Sequence, residues 1–218
     1  GGTPTSLPTD FTVSGASLAP NVGGGLFKTG GGTLTLTNAN TYSGLTTVRT
    51  GILAVTHSSA LGTPGAGTTV SNFGRLNISG NVTIADPLWL AGEGDVLNAY
   101  YGALRANTGT NTVTGPITLT IPGNTRIRSV AGSRLDVLGG ITSGGSNFPL
   151  VLNAESGAVM RIASSPIVLA TNSLVYVHGG GGRNLWAVNG NIFGTMNLQY
   201  SSVLVLETND AINTNAVL

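Results

Sequence analysis

Residues 28–44 read KTGGGTLTLTNANTYSG, with one charged residue, Lys28, and five threonines. The alternation over Thr33–Thr37 predicts a strand that turns Leu34 and Leu36 to one face, because successive side chains on a strand point to opposite sides. Glycines precede it, and an Asn-rich turn follows. The chain continues LTTVRTGILAV, which adds strands over Thr46–Val48 and Ile52–Thr56 with Gly51 between them. Strand, turn, strand, glycine, strand is a geometrical unit rather than a chemical one. It makes one turn of a coil.

The same pattern runs through all 218 residues. Short runs rich in Val, Ile, Leu and Thr stand at Thr68–Val70, Arg75–Ile78, Asn81–Ile84, Ile117–Ile121, Arg126–Val130, Arg134–Leu138 and Leu150–Asn153. Others stand at Val159–Ile162, Ile167–Ala170, Leu174–His178, Met196–Gln199 and Val203–Glu207. Starts fall at all-β spacing, and no window keeps the period of an amphipathic helix. Residues 201–206 echo residues 50–55, and the chain ends where the first copy continues, so the ending is expected to cut a repeat. Rungs of about 20 residues give an all-β, parallel β-helix of roughly 10 to 12 rungs, about 50 Å long. The expected organisation is an extended N-terminal segment over 1–22, in contact with a neighbouring subunit, and a single β-helix domain over 23–218.

Composition fits such a coil. Charged residues make up 8% of the chain, against roughly 25% in ordinary soluble proteins. Like charges stacked on successive rungs repel, whereas Gly and Asn accept the positive φ that corners need. The 34 glycines serve those corners. Asn amides are expected to stack along the axis. The net charge is +1 with no basic run, which argues against nucleic acid as a partner. Arg126 and Arg128 read as one exposed strand face. The absence of cysteine excludes disulfides and thiolate metal sites. No apolar run is long enough for a transmembrane helix.

At 28–53 the motif becomes specific. Lys28, Gly30, Gly32, Thr33, Leu34, Leu36, Asn40, Thr41, Tyr42, Gly44, Thr46, Val48, Gly51 and Leu53 occupy the positions of the autotransporter-associated β-strand repeat, also called the passenger-associated repeat, which this stretch resembles. Leu45 stands where that pattern commonly has a second Gly. The resemblance implies a right-handed coil in a secreted or surface-exposed bacterial protein of the stalk, passenger or adhesin type, without catalysis.

No residue set predicts an enzyme, a cofactor or a metal site. His57 and His178 read as corner or surface imidazoles. GGGLFKTG (23–30) lacks the glycine before Lys28 that a phosphate loop requires. VHGGGGRNLW (177–186) reads as a turn between rungs. The densest acidic stretch, DPLWLAGEGD, offers Asp86, Glu93 and Asp95 around Trp89, a weak candidate for sugar or Ca²⁺ binding by a carbohydrate-binding or polysaccharide-degrading β-helix. Open coil ends without a capping helix favour self-association, end to end, into a homopolymeric surface fibre. Surface glycans are the second expected partner, and a stalk fragment of an autotransporter passenger is a third reading. Strands apolar on both faces, such as Val203–Leu206, are expected to meet a loop or another molecule.

Overall fold

A computed structural model describes residues 11–13, 23–94, 101–209 and 211–212, with the backbone alone for 11–13. Every regular element among them is a strand, and the chain winds as a parallel β-solenoid. The first strands are β1 (Phe11–Val13), β2 (Leu26–Lys28), β3 (Thr33–Leu36), β4 (Thr46–Val55) and β5 (Thr68–Ser79). Then come β6 (Thr83–Ile84), β7 (Leu88–Leu90), β8 (Leu104–Thr108), β9 (Thr110–Val113) and β10 (Ile117–Leu119). Next are β11 (Thr125–Ser129), β12 (Arg134–Val137), β13 (Ile141–Thr142), β14 (Leu150–Ala154) and β15 (Val159–Ala163). The last are β16 (Ile167–Val168), β17 (Leu174–Gly179), β18 (Arg183–Ala187), β19 (Thr195–Gln199) and β20 (Val203–Leu206).

Three faces result. One stacks β2, the start of β4, the start of β5, β7, β10, β13 and β16. The second stacks β1, β3, the ends of β4 and β5, then β8, β11, β14, β17 and β19. The third stacks β6, β9, β12, β15, β18 and β20. Apolar side chains meet in columns along the axis. Leu34 pairs with Leu53, Leu53 with Leu76, Leu76 with Leu104, Leu104 with Ile127, Ile127 with Leu152 and Leu152 with Val177. All of these are buried, and burial of such columns is the main force holding one rung on the next.

The coil makes about seven turns, not 10 to 12, and is therefore about 34 Å long at the strand spacing. The reason lies in rung length. A step along the second face takes 19 residues from Leu34 to Leu53 but 28 from Leu76 to Leu104. Corner loops, such as the one between Thr142 and Leu150, lengthen the turns. Three further expectations need correction. Thr46–Val48 and Ile52–Val55 belong to one continuous strand, β4, which ends before Thr56, and Thr68–Val70 and Arg75–Ile78 are likewise joined within β5. The echo of 50–55 in 201–206 is not a structural equivalence, since Ile52–Val55 lies on the second face and β20 on the third. In the glycine run only 180–182 form the turn, and Arg183–Ala187 forms β18.

Three buried asparagines bond across rungs to backbone. Asn40 Nδ2 donates to the Ala60 carbonyl at 2.6 Å, Val82 N–H donates to Asn111 Oδ1 at 3.1 Å, and Ile167 N–H donates to Asn191 Oδ1 at 2.8 Å. Each satisfies a corner peptide group that the strand ladders leave over.

Candidate functional site

The repeat motif is consumed by packing. Lys28 is 1% exposed, and its Nζ donates to the carbonyls of Thr29 (3.1 Å), Gly30 (2.8 Å) and Thr50 (3.1 Å). Gly32 accepts from Ile52 N–H at 3.2 Å, and Thr33, Leu34 and Leu36 form β3. Tyr42 is buried, its hydroxyl 2.7 Å from Thr46 Oγ1. Burial pushes its pKa up to about 12. Gly44 N–H donates to the Gly24 carbonyl at 2.9 Å. Val48 and Leu53 are core residues, Gly51 turns β4 between two faces, and Thr41 alone among these side chains is fully turned to solvent.

The acidic candidates separate. Asp86 is buried, and Thr68 Oγ1 donates to its Oδ2 at 2.8 Å. Trp89 lies half-buried on β7, in register with Thr69 and Thr118. Glu93 points to the second face, where its Oε1 accepts from Arg126 Nη2 at 2.8 Å. Asp95 lies outside the described residues. Among the described residues no group of three His, Cys, Asp or Glu is placed to hold a metal.

Burial pushes the Asp86 pKa up from 3.8 to about 6, with the Thr68 hydrogen bond pulling partly the other way. A carboxyl raised on folding takes up a proton in the folded state first. Its stabilising contribution is therefore full below about pH 4 and is lost as pH rises through 6. Asp86→Asn keeps an acceptor for Thr68 and removes the charge. We expect it to stabilise the fold by about 2 kcal/mol at pH 8 and to have little effect near pH 4. Urea melts of both proteins at the two pH values check this. Equal shifts at both would show that charge burial is not the cause.

A polar concavity opens on the outward side of the second face. It is a groove of about 600 Å³ to which Glu93, Arg126, Arg128, Glu155, His178 and Tyr200 contribute. The strand register builds it. Arg105, Arg128, Asn153, His178 and Gln199 occupy one outward position on five successive rungs, β8, β11, β14, β17 and β19. A neighbouring row runs Arg126, Val151, Tyr176, Asn197. Arg126 pairs with Glu93, and its Nη1 lies 3.2 Å from His178 Nδ1. Arg128 pairs with Glu155, whose other oxygen accepts from Ala131 N–H at 2.9 Å. These contacts outweigh burial and hold the Glu155 pKa below its ordinary value. Burial, then the Arg126 charge, lower that of His178, so the imidazole is neutral at neutral pH.

Aromatic rings edge the groove. Tyr176, His178 and Tyr200 form a chain of edge-on contacts at 5.9 and 5.0 Å between centroids. Behind them the guanidinium groups of Arg75, Arg105 and Arg128 lie 4.8, 5.0 and 5.3 Å from the Tyr101 ring. Sequence reading took Arg126 and Arg128 as one exposed strand face and His178 as a separate corner or surface imidazole, whereas Arg126 is buried. Their spacing carried the signal: Arg128, Asn153 and His178 are 25 residues apart, one rung each.

Residues 26–55 match the passenger-associated-transport-repeat family. The match covers β2, β3 and β4, the part of the coil that holds Lys28 and Gly51. A second similarity is to a named protein. The adhesin BmaC autotransporter of Brucella suis biovar 1 (strain 1330) is 37% identical over 114 residues, which is 47% of this chain and 3% of that protein. The chain thus spans a small fraction of that relative's length. No solved structure matches.

Proposed function

We propose that this chain is a β-helical stalk segment of an extracellular, surface-exposed bacterial adhesin of the autotransporter type, and that it is not an enzyme. The observation that carries this is the use of the repeat. The buried motif side chains are spent on packing and on hydrogen bonds within and between rungs, and the similar adhesin has ample length for a long coil. Labelling intact bacteria that make the full-length protein with an antibody against this segment tests the location. Signal without permeabilisation is expected. Signal only after lysis would overturn the reading.

The finer reading is that open ends join head to tail into a fibre. On the second face the core column ends at Leu198, which is 50% exposed, and on the third Trp186 is followed by Leu206, 46% exposed. Both stand where a further rung would cover them. Electron microscopy of the purified segment is expected to show filaments with an axial step of about 34 Å per copy. Leu198→Arg combined with Leu206→Arg should leave single particles. Single particles of the unchanged protein at every concentration would exclude head-to-tail assembly.

A further inference from the structure

We propose that the groove on the second face binds a neutral, extended β-1,4-linked oligosaccharide lying along the coil axis. The site is distinct from the Asp86–Trp89 stretch, and the inference does not depend on assembly into fibres.

Three observations carry it. The first is the periodicity of the floor. Arg128, Asn153, His178 and Gln199 present polar groups at one outward position on successive rungs. Rungs stand about 4.8 Å apart, and an extended β-1,4-linked sugar chain advances by nearly the same distance per residue. Each rung can therefore offer a donor or acceptor to one sugar, in step with the polymer.

The second is charge balance within the groove. Arg126 is held by Glu93 and Arg128 by Glu155. Ion pairs of this kind fix planar arrays of donors and acceptors in place, which suits hydroxyl groups. Two carboxylates lining the groove disfavour an acidic polymer. The amides of Asn153 and Gln199 add both hydrogen-bonding senses.

The third is Tyr200. It is 73% exposed although it lines the groove, so its ring is held out rather than packed away. Tyr200 and Ser201 are consecutive non-glycine residues with φ of 56° and 55°. Such backbone is costly and tends to persist where a side chain must be held in a set direction. The ring stands 5.0 Å from His178, edge to face, and leaves a face for a pyranose. Volume agrees as well, since about 600 Å³ lies within the range of small-ligand sites.

Isothermal titration of the segment with cellohexaose and chitohexaose, alongside an acidic hexamer of galacturonic acid, tests the proposal. Saturable binding of a neutral hexamer is expected, insensitive to added salt. Tyr200→Ala should weaken it about tenfold, with the urea midpoint unchanged because the side chain is exposed. Arg128→Gln, chosen to loosen the floor, should weaken it too, while Phe27→Ser, on the first face, should not. No binding of either neutral hexamer would overturn the proposal. So would binding that Tyr200→Ala leaves unchanged, or a preference for the acidic hexamer that salt abolishes. Loss of binding with filaments intact would separate this site from the assembly reading, and the converse result would do the same.

Discussion

Gly51→Ala is expected to destabilise the fold by about 4 kcal/mol, among the largest effects available to a single methyl group. Gly51 has φ of +70°, and a Cβ there would lie 2.2 Å from the Gly30 carbonyl oxygen, 2.7 Å from that of Gly32 and 2.7 Å from Lys28 Nζ. Backbone preference and collision therefore act together. Backbone oxygens cannot swing aside as a flexible side chain can, because they belong to the preceding rung. Gly80→Ala separates the two causes. Its φ is +86°, but nothing stands within 4 Å of its Cβ position. It should cost only the conformational preference, about 1 kcal/mol. Denaturant melts of both variants check the difference. Equal losses would mean that the close approach at Gly51 relaxes freely.

Lys28→Met is expected to cost about 3 kcal/mol. Two terms oppose one another. Removing a buried ammonium relieves its desolvation, whereas the partly buried carbonyls of Thr29, Gly30 and Thr50 lose a shared donor. The second term wins because one charged donor serves three acceptors, and charge-assisted bonds are the strong ones. Melts of Lys28→Met against the unchanged protein test the sign, and a neutral or stabilising result would mean that desolvation dominates. Lys28 and Gly51 form one unit, since Nζ lies beside the open Cβ position of Gly51. The double variant should therefore lose clearly less than the two single losses together.

Both residues stand in the motif, and the motif was the legible part of the sequence. Alternation in TLTL set Leu34 and Leu36 inward, and the columns they start run as the pattern requires. Gly51 was read as a break between strands. It is instead a bend within β4, because pairing with β5 continues through it. β6, β13 and β16 have two residues each, too few to show a period, and pairing with β15 on one side and β20 on the other defines β18 despite the glycines before it. The groove was hidden for one reason. With rungs taken as 20 residues long, Arg128, Asn153 and His178 fall on different faces. At the true step of 25 they fall in line. Composition could not reveal it either, since the groove collects several of the few charges from strands far apart in the chain. Asp86 and Trp89 drew attention by proximity in sequence, but a buried carboxyl bonded to Thr68 and a ring on β7 do not share that groove.

The all-parallel pairing has a mechanical meaning. Hydrogen bonds between rungs lie along the coil axis, so a load applied at the two ends pulls on one ladder after another rather than on all at once. Tension opens such a coil as a zipper, from an end, one turn at a time. Each released turn of roughly 25 residues lets out about 80 Å of chain. A tether built this way yields in small steps under a sudden pull while the turns further in keep their shape.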